Sequence, residues 1–227
     1  RAGDTPPARA ARGGHVEAGR LLTEHGATPN AKETWRGQTA LIWAAAQKHP
    51  GMTRLLIEHG ADPNARSNSN DWDRQVSAER RRVFRPFGGL AALDLAPAPN
   101  FGPGRPYGPP AGLRARMSAA REGCAECARA LVEGGADPDL SGFRNITPLI
   151  MAIDNLHFDT AKYLIEAGAT LDMWDWWGRT PLYMAVDMNM LPHGGRPERA
   201  PLDATTSLEL VAMMLERGAN PNIQLKL

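Results

Sequence analysis

The two cysteines of the chain, Cys124 and Cys127, form a Cys-x-x-Cys pair, a spacing found in zinc sites, redox centres and haem attachment sites. A structural zinc ion needs two further ligands at comparable spacing, and covalent haem needs a histidine where Ala128 stands. A thioredoxin-like pair needs a βαβ pattern, which does not surround these cysteines. We therefore expect ordinary packing cysteines at a helix start. A disulfide between them is the alternative if the protein is exported.

Histidine is the side chain most often used for acid–base catalysis and metal binding. Five of the six histidines instead recur at fixed distances from a glycine, three of them eleven residues before it and two directly before it. The first group is His15, His49 and His157, and the second is His25 and His59. This period predicts hydrogen-bonding roles at helix starts and ends, which leaves His193 alone.

Other catalytic signatures are missing from the sequence. No GxxxxGK[ST] phosphate loop, nucleophile elbow or HExxH zinc motif occurs. The acidic pairs Asp137/Asp139 and Asp172/Asp175 recur at equivalent places in a repeating pattern, so they are expected to be structural. We therefore predict that the chain is not an enzyme, has no catalytic residue, holds no metal ion and needs no cofactor.

A basic cluster comprises Arg80, Arg81, Arg82 and Arg85, in a stretch that reads as a short helix over 71–85. One interpretation is a solvated arginine face on a packed insertion. The other is a set of anion-binding residues that contacts nucleic acid or another anionic polymer. The first interpretation is favoured, so nucleic acid is not the expected partner.

The chain contains five copies of one short segment: EHGATPNA, EHGADPNA, EGGADPDL, EAGATLDM and ERGANPNI. A second signature precedes each copy, reading GDTPPARAA, GQTALIWAA, GLAALDLAP, NITPLIMAI and GRTPLYMAV, and beginning at Gly3, Gly37, Gly89, Asn145 and Gly178. The two signatures lie 23 residues apart in the first, second and fourth copies, but 46 and 40 apart in the third and fifth. The longer intervals predict insertions.

These segments resemble the TPLH-like and GADPN-type signatures of ankyrin repeats, and the likeness covers the chain outside the insertions. It implies a mainly α ankyrin-repeat solenoid of five units, each a helix, a turn, a second helix and a β-hairpin finger. The units are expected at about 1–33, 34–67, 68–141, 142–174 and 175–227, with insertions at about 68–86, 97–118 and 191–206. The closing segment also resembles bacterial multi-repeat ankyrin proteins, which are often exported.

Each second helix carries an apolar triplet at one fixed distance before its glycine, as in Leu55-Leu56-Ile57 and Tyr163-Leu164-Ile165. A unit of this size cannot bury its apolar face alone, so neighbouring units must stack. The glycine then ends the helix, because a left-handed residue costs least there. Pro7 stands at the leucine position of the first unit and argues against a regular helix there.

Charge is unevenly distributed along the chain, although the formal net charge is +1. Residues 1–65 carry 8 basic and 6 acidic side chains (+2), residues 66–121 carry 10 and 4 (+6), and residues 122–227 carry 8 and 15 (−7). No stretch approaches the roughly 18 apolar residues that cross a bilayer, so membrane insertion is not expected. The chain begins at Arg1 with neither Met nor a signal core, so we expect a piece of a longer or processed protein. A periplasmic or exported compartment is expected, with a cytoplasmic one left open.

An aromatic residue stands two positions before the second signature in units two to five, and we expect the four rings to line the groove side of the fingers: Trp35, Phe87, Phe143 and Trp176. The residues expected to complete the contact set are Arg36, Gln38, Arg144, Trp177 and Arg179. Exposed aromatic and arginine side chains are enriched among binding hot spots. The alternative is that the rings only pack finger against finger.

The predicted function is therefore a non-catalytic scaffold that binds another protein through the concave surface of fingers and inner helices. Two alternatives stay open. One is a regulatory or targeting module of a larger enzyme, and the other is an anionic-polymer binder that uses the arginine cluster.

Overall fold

The computed structural model of the chain describes residues 4–34, 36–68, 112–142, 145–190 and 203–223. Ten helices lie in this part of the chain, in five consecutive pairs: α1 (Pro6–Gly13) and α2 (Val16–Glu24), α3 (Ala40–Ala46) and α4 (Pro50–Glu58), α5 (Ala115–Glu122) and α6 (Ala125–Glu133), α7 (Pro148–Asp154) and α8 (Phe158–Glu166), and α9 (Pro181–Met190) and α10 (Ser207–Glu216). The β-pairing of the described residues is one isolated antiparallel bridge between Arg66 and Arg114. The predicted mainly α repeat solenoid is confirmed.

The first helices of the pairs form one row, α1–α3–α5–α7–α9, and the second helices form another, α2–α4–α6–α8–α10. Each pair packs on the pair before it and the pair after it. The apolar core lies between the two rows and between successive pairs, where its large side chains are less than 2% exposed; they include Leu41, Leu56, Leu131, Leu149, Leu164 and Met184. Stacking, and not any single pair, therefore supplies the core.

Helix starts are fixed by threonine caps. The hydroxyl of the cap residue accepts a hydrogen bond from a backbone N–H in the first turn, which would otherwise be unpaired. This arrangement occurs at Thr5, Thr39, Thr147, Thr180 and Thr206.

Pro7 lies in the first turn of α1, where no backbone N–H is needed. The expectation that Pro7 disturbs this helix is therefore wrong.

A glycine follows the end of each second helix. Gly26, Gly60, Gly135, Gly168 and Gly218 have φ of 84, 81, 83, 87 and 87°, the left-handed region that costs glycine least. There is open space around these glycines, so the backbone conformation and not crowding requires them. The repeated glycine of the sequence is thus explained by the helix end.

The structure corrects the predicted third unit. Helix α5 occupies the place of a first helix, between α3 and α7, and it begins at Ala115. The predicted insertion 97–118 therefore runs at least four residues too far, since 115–118 are helical. Gly112 precedes Gly135 by the same interval as Gly37 precedes Gly60, so the signature of this unit starts at Gly112 and not at Gly89. Three parts of the predicted third unit lie outside the described residues: the insertion 68–86 beyond Asn68, Gly89, and residues 97–111 of the insertion 97–118.

The polar residues of α5 explain why the sequence pattern favours Gly89. The segment from Gly112 reads GLRARMSAA, with Arg114 where other units have the capping threonine and Arg116 where they have leucine. The segment from Gly89, GLAALDLAP, matches the apolar pattern better. The stack tolerates the polar helix because its alanines and Met117 still fill the core.

The predicted insertion 191–206 is described from Asp203 onward, and this end is anchored to the start of α8. The backbone N–H of Asp159 donates to Asp203 Oδ2 at 2.9 Å. In return, the backbone N–H groups of Ala204 and Thr205 donate to the Asp159 carboxylate at 3.1 and 2.9 Å. The bonds fix the chain just before Thr206, so α10 starts in register with α8.

Hydrogen bonds also join each turn to the next one along the stack. The Asn or Asp four residues after a repeat glycine accepts from the backbone N–H two residues after the following glycine. The bonds are Asp62 N to Asn30 Oδ1 (2.7 Å), Asp137 N to Asn64 Oδ1 (3.0 Å), Thr170 N to Asp139 Oδ1 (2.8 Å) and Asn220 N to Asp172 Oδ1 (3.0 Å). We call this row the Asx ladder. It explains why the GADPN segment ends in Asn or Asp.

Arg116 is a buried cation in the core. Its side chain is 3% exposed, at the position that Leu41 and Leu149 hold in neighbouring units. One guanidinium nitrogen donates to the Ala136 carbonyl at 2.8 Å, while Nε and Nη1 have no hydrogen-bond partner among the described residues. Burial lowers the pKa of Arg116, and this effect outweighs the nearby acidic groups that raise it. A buried charge with unpaired donors costs stability.

We expect Arg116→Leu to raise the free energy of unfolding by about 1–3 kcal/mol, because it removes unpaired buried donors and restores the residue used in the other units. Chemical denaturation measures the change. The control is Arg20→Leu, which alters an exposed arginine of α2 and should change stability by less than about 0.5 kcal/mol. A destabilised Arg116→Leu variant would show that the guanidinium supports the stack.

His157 starts α8 and sits against the preceding unit, where a Cβ at Gly123 would overlap its ring. Burial lowers the pKa of His157 below 6.5, and Lys48 acts in the same direction. Asp203, Glu122 and a hydrogen bond to the backbone of Arg121 oppose this shift without reversing it. The folded protein therefore disfavours the charged imidazole.

Because the unfolded chain protonates His157 first, stability should fall as the pH drops through 6.5. We expect the thermal midpoint to fall less between about pH 7.5 and 5.5 in His157→Gln than in the wild type. The control is His15→Gln, since His15 holds the same repeat position but is exposed. Equal pH dependence in wild type and His157→Gln would contradict the prediction.

Candidate functional site

The turn that joins α8 to α9, residues 174–179, is closed around one buried carboxylate. We call it the tryptophan turn. Asp175 is fully buried, and its Oδ1 accepts from the backbone N–H groups of Trp177 and Arg179, both at 2.9 Å. Its Oδ2 accepts from Arg179 Nε at 2.8 Å and Nη2 at 2.6 Å. Gly178, with φ of 78°, lets the chain reverse, so the turn has a defined shape.

Two tryptophans project from this fixed turn. Trp174 is 42% exposed and Trp177 is 44% exposed, whereas Trp176 is half-buried. The Arg179 guanidinium lies 4.6 Å from the centre of the Trp177 ring, a cation–π contact that holds the ring in place. The side chain of Asn145 donates to the Trp174 carbonyl at 2.6 Å and ties the turn to the preceding finger. The exposed rings are thus presented on a rigid base.

The described residues include part of the predicted contact set. Trp176, Trp177 and Arg179 meet in the tryptophan turn. Arg36 is exposed in the finger before α3, where its backbone N–H donates to Glu33 Oε1 at 2.8 Å. Gln38 is 6% exposed, and this burial argues against the contact role predicted for it.

The rest of the predicted set lies outside the described residues: Trp35, Phe87, Phe143 and Arg144 of the aromatic column, and Arg80, Arg81, Arg82 and Arg85 of the basic cluster. The corrected start of the third unit also changes the prediction made for Phe87. Because that unit opens at Gly112, the column position two residues earlier is Pro110 and not Phe87. By this count the third unit has no aromatic residue at the column position.

Sequence reasoning did not select Trp174 as a contact residue or Asp175 as the residue that shapes the turn. The signal for Asp175 is an aspartate four residues before an arginine, with a glycine between them, since such a carboxylate can accept both backbone and guanidinium hydrogen bonds. Trp174 has no signal of its own, because only the folded turn decides which of three neighbouring rings is exposed.

The structure joins the sulfur atoms of Cys124 and Cys127 in a disulfide at the start of α6. Cys127 is fully buried and Cys124 is 7% exposed. Cys124 also caps the helix, because its sulfur accepts from the backbone N–H of Cys127 at 3.2 Å. The expected packing position is therefore observed, but the alternative of a bonded pair is the one that the structure shows.

Within the described ranges, no group of three or more His, Cys, Asp or Glu side chains could hold a metal ion. None of the helices described here is long and apolar enough to cross a membrane.

The helix pairs, turn glycines and finger turns are those of ankyrin repeats, and the ankyrin-repeat family model (three copies) matches residues 1–67 and 116–224. The match covers most of the chain, so the protein belongs to the ankyrin-repeat family. The internal unmatched stretch, 68–115, follows α4 and ends at the first residue of α5, in agreement with the corrected start of the third unit. No curated protein matches the chain. Ankyrin repeats are generally protein–protein interaction modules and are typically non-catalytic scaffolds.

We expect Asp175→Ala to lower the free energy of unfolding by about 2–4 kcal/mol, because it leaves backbone and guanidinium donors of the tryptophan turn unpaired. Urea denaturation measures the loss. Asp187→Ala, a half-buried aspartate on neighbouring α9, should change stability by less than about 0.5 kcal/mol. If the two variants were equally stable, Asp175 would not hold the turn together.

Proposed function

We propose that the protein is a scaffold that binds a partner protein, and that the tryptophan turn and the adjoining finger surface make the main contact. The observation that carries this proposal is the exposure of Trp174 and Trp177, 42% and 44%, on a turn fixed by buried Asp175. Large aromatic rings normally seek burial, and exposed ones mark contact sites.

The rigidity of the turn supports the same conclusion. A binding residue that is already held in its bound position loses little conformational entropy when the partner arrives. Asp175 fixes the backbone on both sides of Trp177, and Arg179 holds the ring from above. Tryptophan and arginine are also among the residues most enriched in interface hot spots.

The charge of the surrounding region indicates the chemistry of the partner. Residues 122–227 carry 15 acidic and 8 basic side chains, and Asp137 is exposed in the turn that precedes α7. A partner surface with apolar pockets and a basic rim would complement both features, and the opposite charges would speed association. The predicted roles as an enzyme's regulatory module or an anionic-polymer binder rest on the sequence alone.

The test is affinity capture with the whole chain, followed by binding measurements with the captured partner. We expect the double variant Trp174→Ala/Trp177→Ala to weaken binding by about 30-fold or more, equivalent to about 2 kcal/mol, because it removes both exposed rings. Its free energy of unfolding should fall by less than about 1 kcal/mol, because neither ring lies in the core.

The matched control is Leu21→Ala, which removes an apolar side chain that is 57% exposed on α2, far along the stack from the turn. This variant should bind the partner as the wild type does. If the double variant lost stability and kept its affinity for the partner, the two tryptophans would have a purely structural role.

A further inference from the structure

The disulfide between Cys124 and Cys127 lies within a single helix start, and it joins residues that the backbone already holds together. The Cα atoms of the two residues are 5.2 Å apart, three positions along the chain. The backbone N–H of Cys124 donates to the Ala119 carbonyl at 2.9 Å, and the Cys124 carbonyl accepts from the N–H of Ala128 at 2.9 Å. Backbone hydrogen bonds therefore fix the start of α6 whether or not the sulfur atoms are joined.

Other second helices begin at the same place without a disulfide. His49 and Met52 hold the two positions in the second unit, and His157 and Thr160 hold them in the fourth. Helices α4 and α8 have nine residues each, as α6 has. A cross-link stabilises a fold most when it closes a long loop, and a ring this short gains least. The repeat therefore does not require the disulfide.

The two cysteines differ in their access to solvent. Cys127 is fully buried in the core, whereas Cys124 is 7% exposed. Cys124 stands between half-exposed Gly123 and Ala125, at the end of the turn that joins α5 to α6. The small side chain of Ala125 takes the place that Phe158 holds in the following unit. A thiolate that approaches from solvent therefore reaches Cys124 first.

The charges around the pair do not oppose a negative sulfur atom. Glu126 lies between the cysteines in the sequence, and its carboxylate is 2.8 Å from the Arg54 guanidinium. The Glu122 carboxylate is 2.8 Å from the Arg121 guanidinium. Both acidic neighbours thus have an arginine partner. The start of α6 adds the partial positive charge of a helix N-terminus, which stabilises a thiolate.

Reduction of the disulfide would leave the helix start intact. The sulfur of Cys124 already caps α6, since it accepts from the backbone N–H of Cys127 at 3.2 Å. A thiolate accepts such a hydrogen bond more strongly than a neutral sulfur does. The pair can therefore change its redox state within the folded protein.

We propose that Cys124 and Cys127 are a site of reversible thiol–disulfide exchange with an external thiol compound. The external thiolate attacks Cys124 Sγ, the bond between the two cysteines breaks, and Cys127 leaves as a thiolate that takes up a proton from water. A second external thiolate attacks the external sulfur of this mixed disulfide and releases the Cys124 thiolate, which is then protonated. The pair is thereby reduced, and the external thiols are oxidised to a disulfide. In the reverse direction, the Cys127 thiolate attacks a mixed disulfide at Cys124 and closes the pair again.

The test uses the whole oxidised chain at neutral pH without denaturant. The chain is incubated with reduced glutathione, a small thiol, or with reduced thioredoxin, a protein dithiol, and the thiols formed are alkylated and counted by mass spectrometry. Reduction by either probe with an unchanged circular dichroism spectrum supports the proposal, and the faster probe identifies the source of the thiol. A disulfide that resists both probes until denaturant unfolds the chain is only a structural cross-link, and this result overturns the proposal.

A matched pair of variants tests the separate roles of the two cysteines. Cys127→Ser removes the thiol that closes the pair, so oxidised glutathione should leave a stable mixed disulfide on Cys124. Cys124→Ser keeps only the buried cysteine and should react at least about tenfold more slowly. Both substitutions suit the fold, because Ser207 and Thr160 hold hydroxyl groups at these two repeat positions in other units. Equal reaction rates in the two folded variants would overturn the order of attack and, with it, the proposal.

Discussion

Each helix pair of this protein is too small to bury its own apolar side, and the rest of the structure depends on that constraint. Pairs must stack, so the large side chains of one pair are buried only when the next pair covers them. The same dependence shapes the surface. At the last described pair, Tyr183, Val186 and Leu208 are exposed, whereas their equivalents in the preceding pair, Ile150, Ile153 and Phe158, are buried.

The helices and the finger turns have different roles in this structure. The helices hold the stack, and hydrogen bonds of the Asx ladder join each turn between pairs to the next one. In the tryptophan turn the buried carboxylate of Asp175 uses its hydrogen bonds to fix the backbone, so the neighbouring rings need not enter the core to be held. The contact site that we propose is therefore a rigid turn with exposed aromatic rings.

The third helix pair shows that the stack tolerates residues that depart from the repeat pattern. Helix α5 has arginines at the positions of the capping threonine and the core leucine, and it still packs between α3 and α7. Its neighbours supply enough apolar contact to keep an incompletely paired guanidinium buried. The spacing between the two helices of a pair therefore predicts where the first helix starts better than its own residue pattern does. Packing against both neighbouring helices sets that position.

The sequence by itself determined the fold class, because the spacing of glycines, capping threonines and apolar triplets depends on local backbone geometry that recurs in every unit. The sequence also predicted that Trp176 and Trp177 lie in a finger. Only the tertiary structure decided that α5 starts at Ala115, that Gln38 is buried, and that Trp174 and Trp177 are exposed while Trp176 is half-covered. Those outcomes depend on which neighbour covers each side chain. Coverage is set by contacts between residues far apart in the chain, so no local pattern records it.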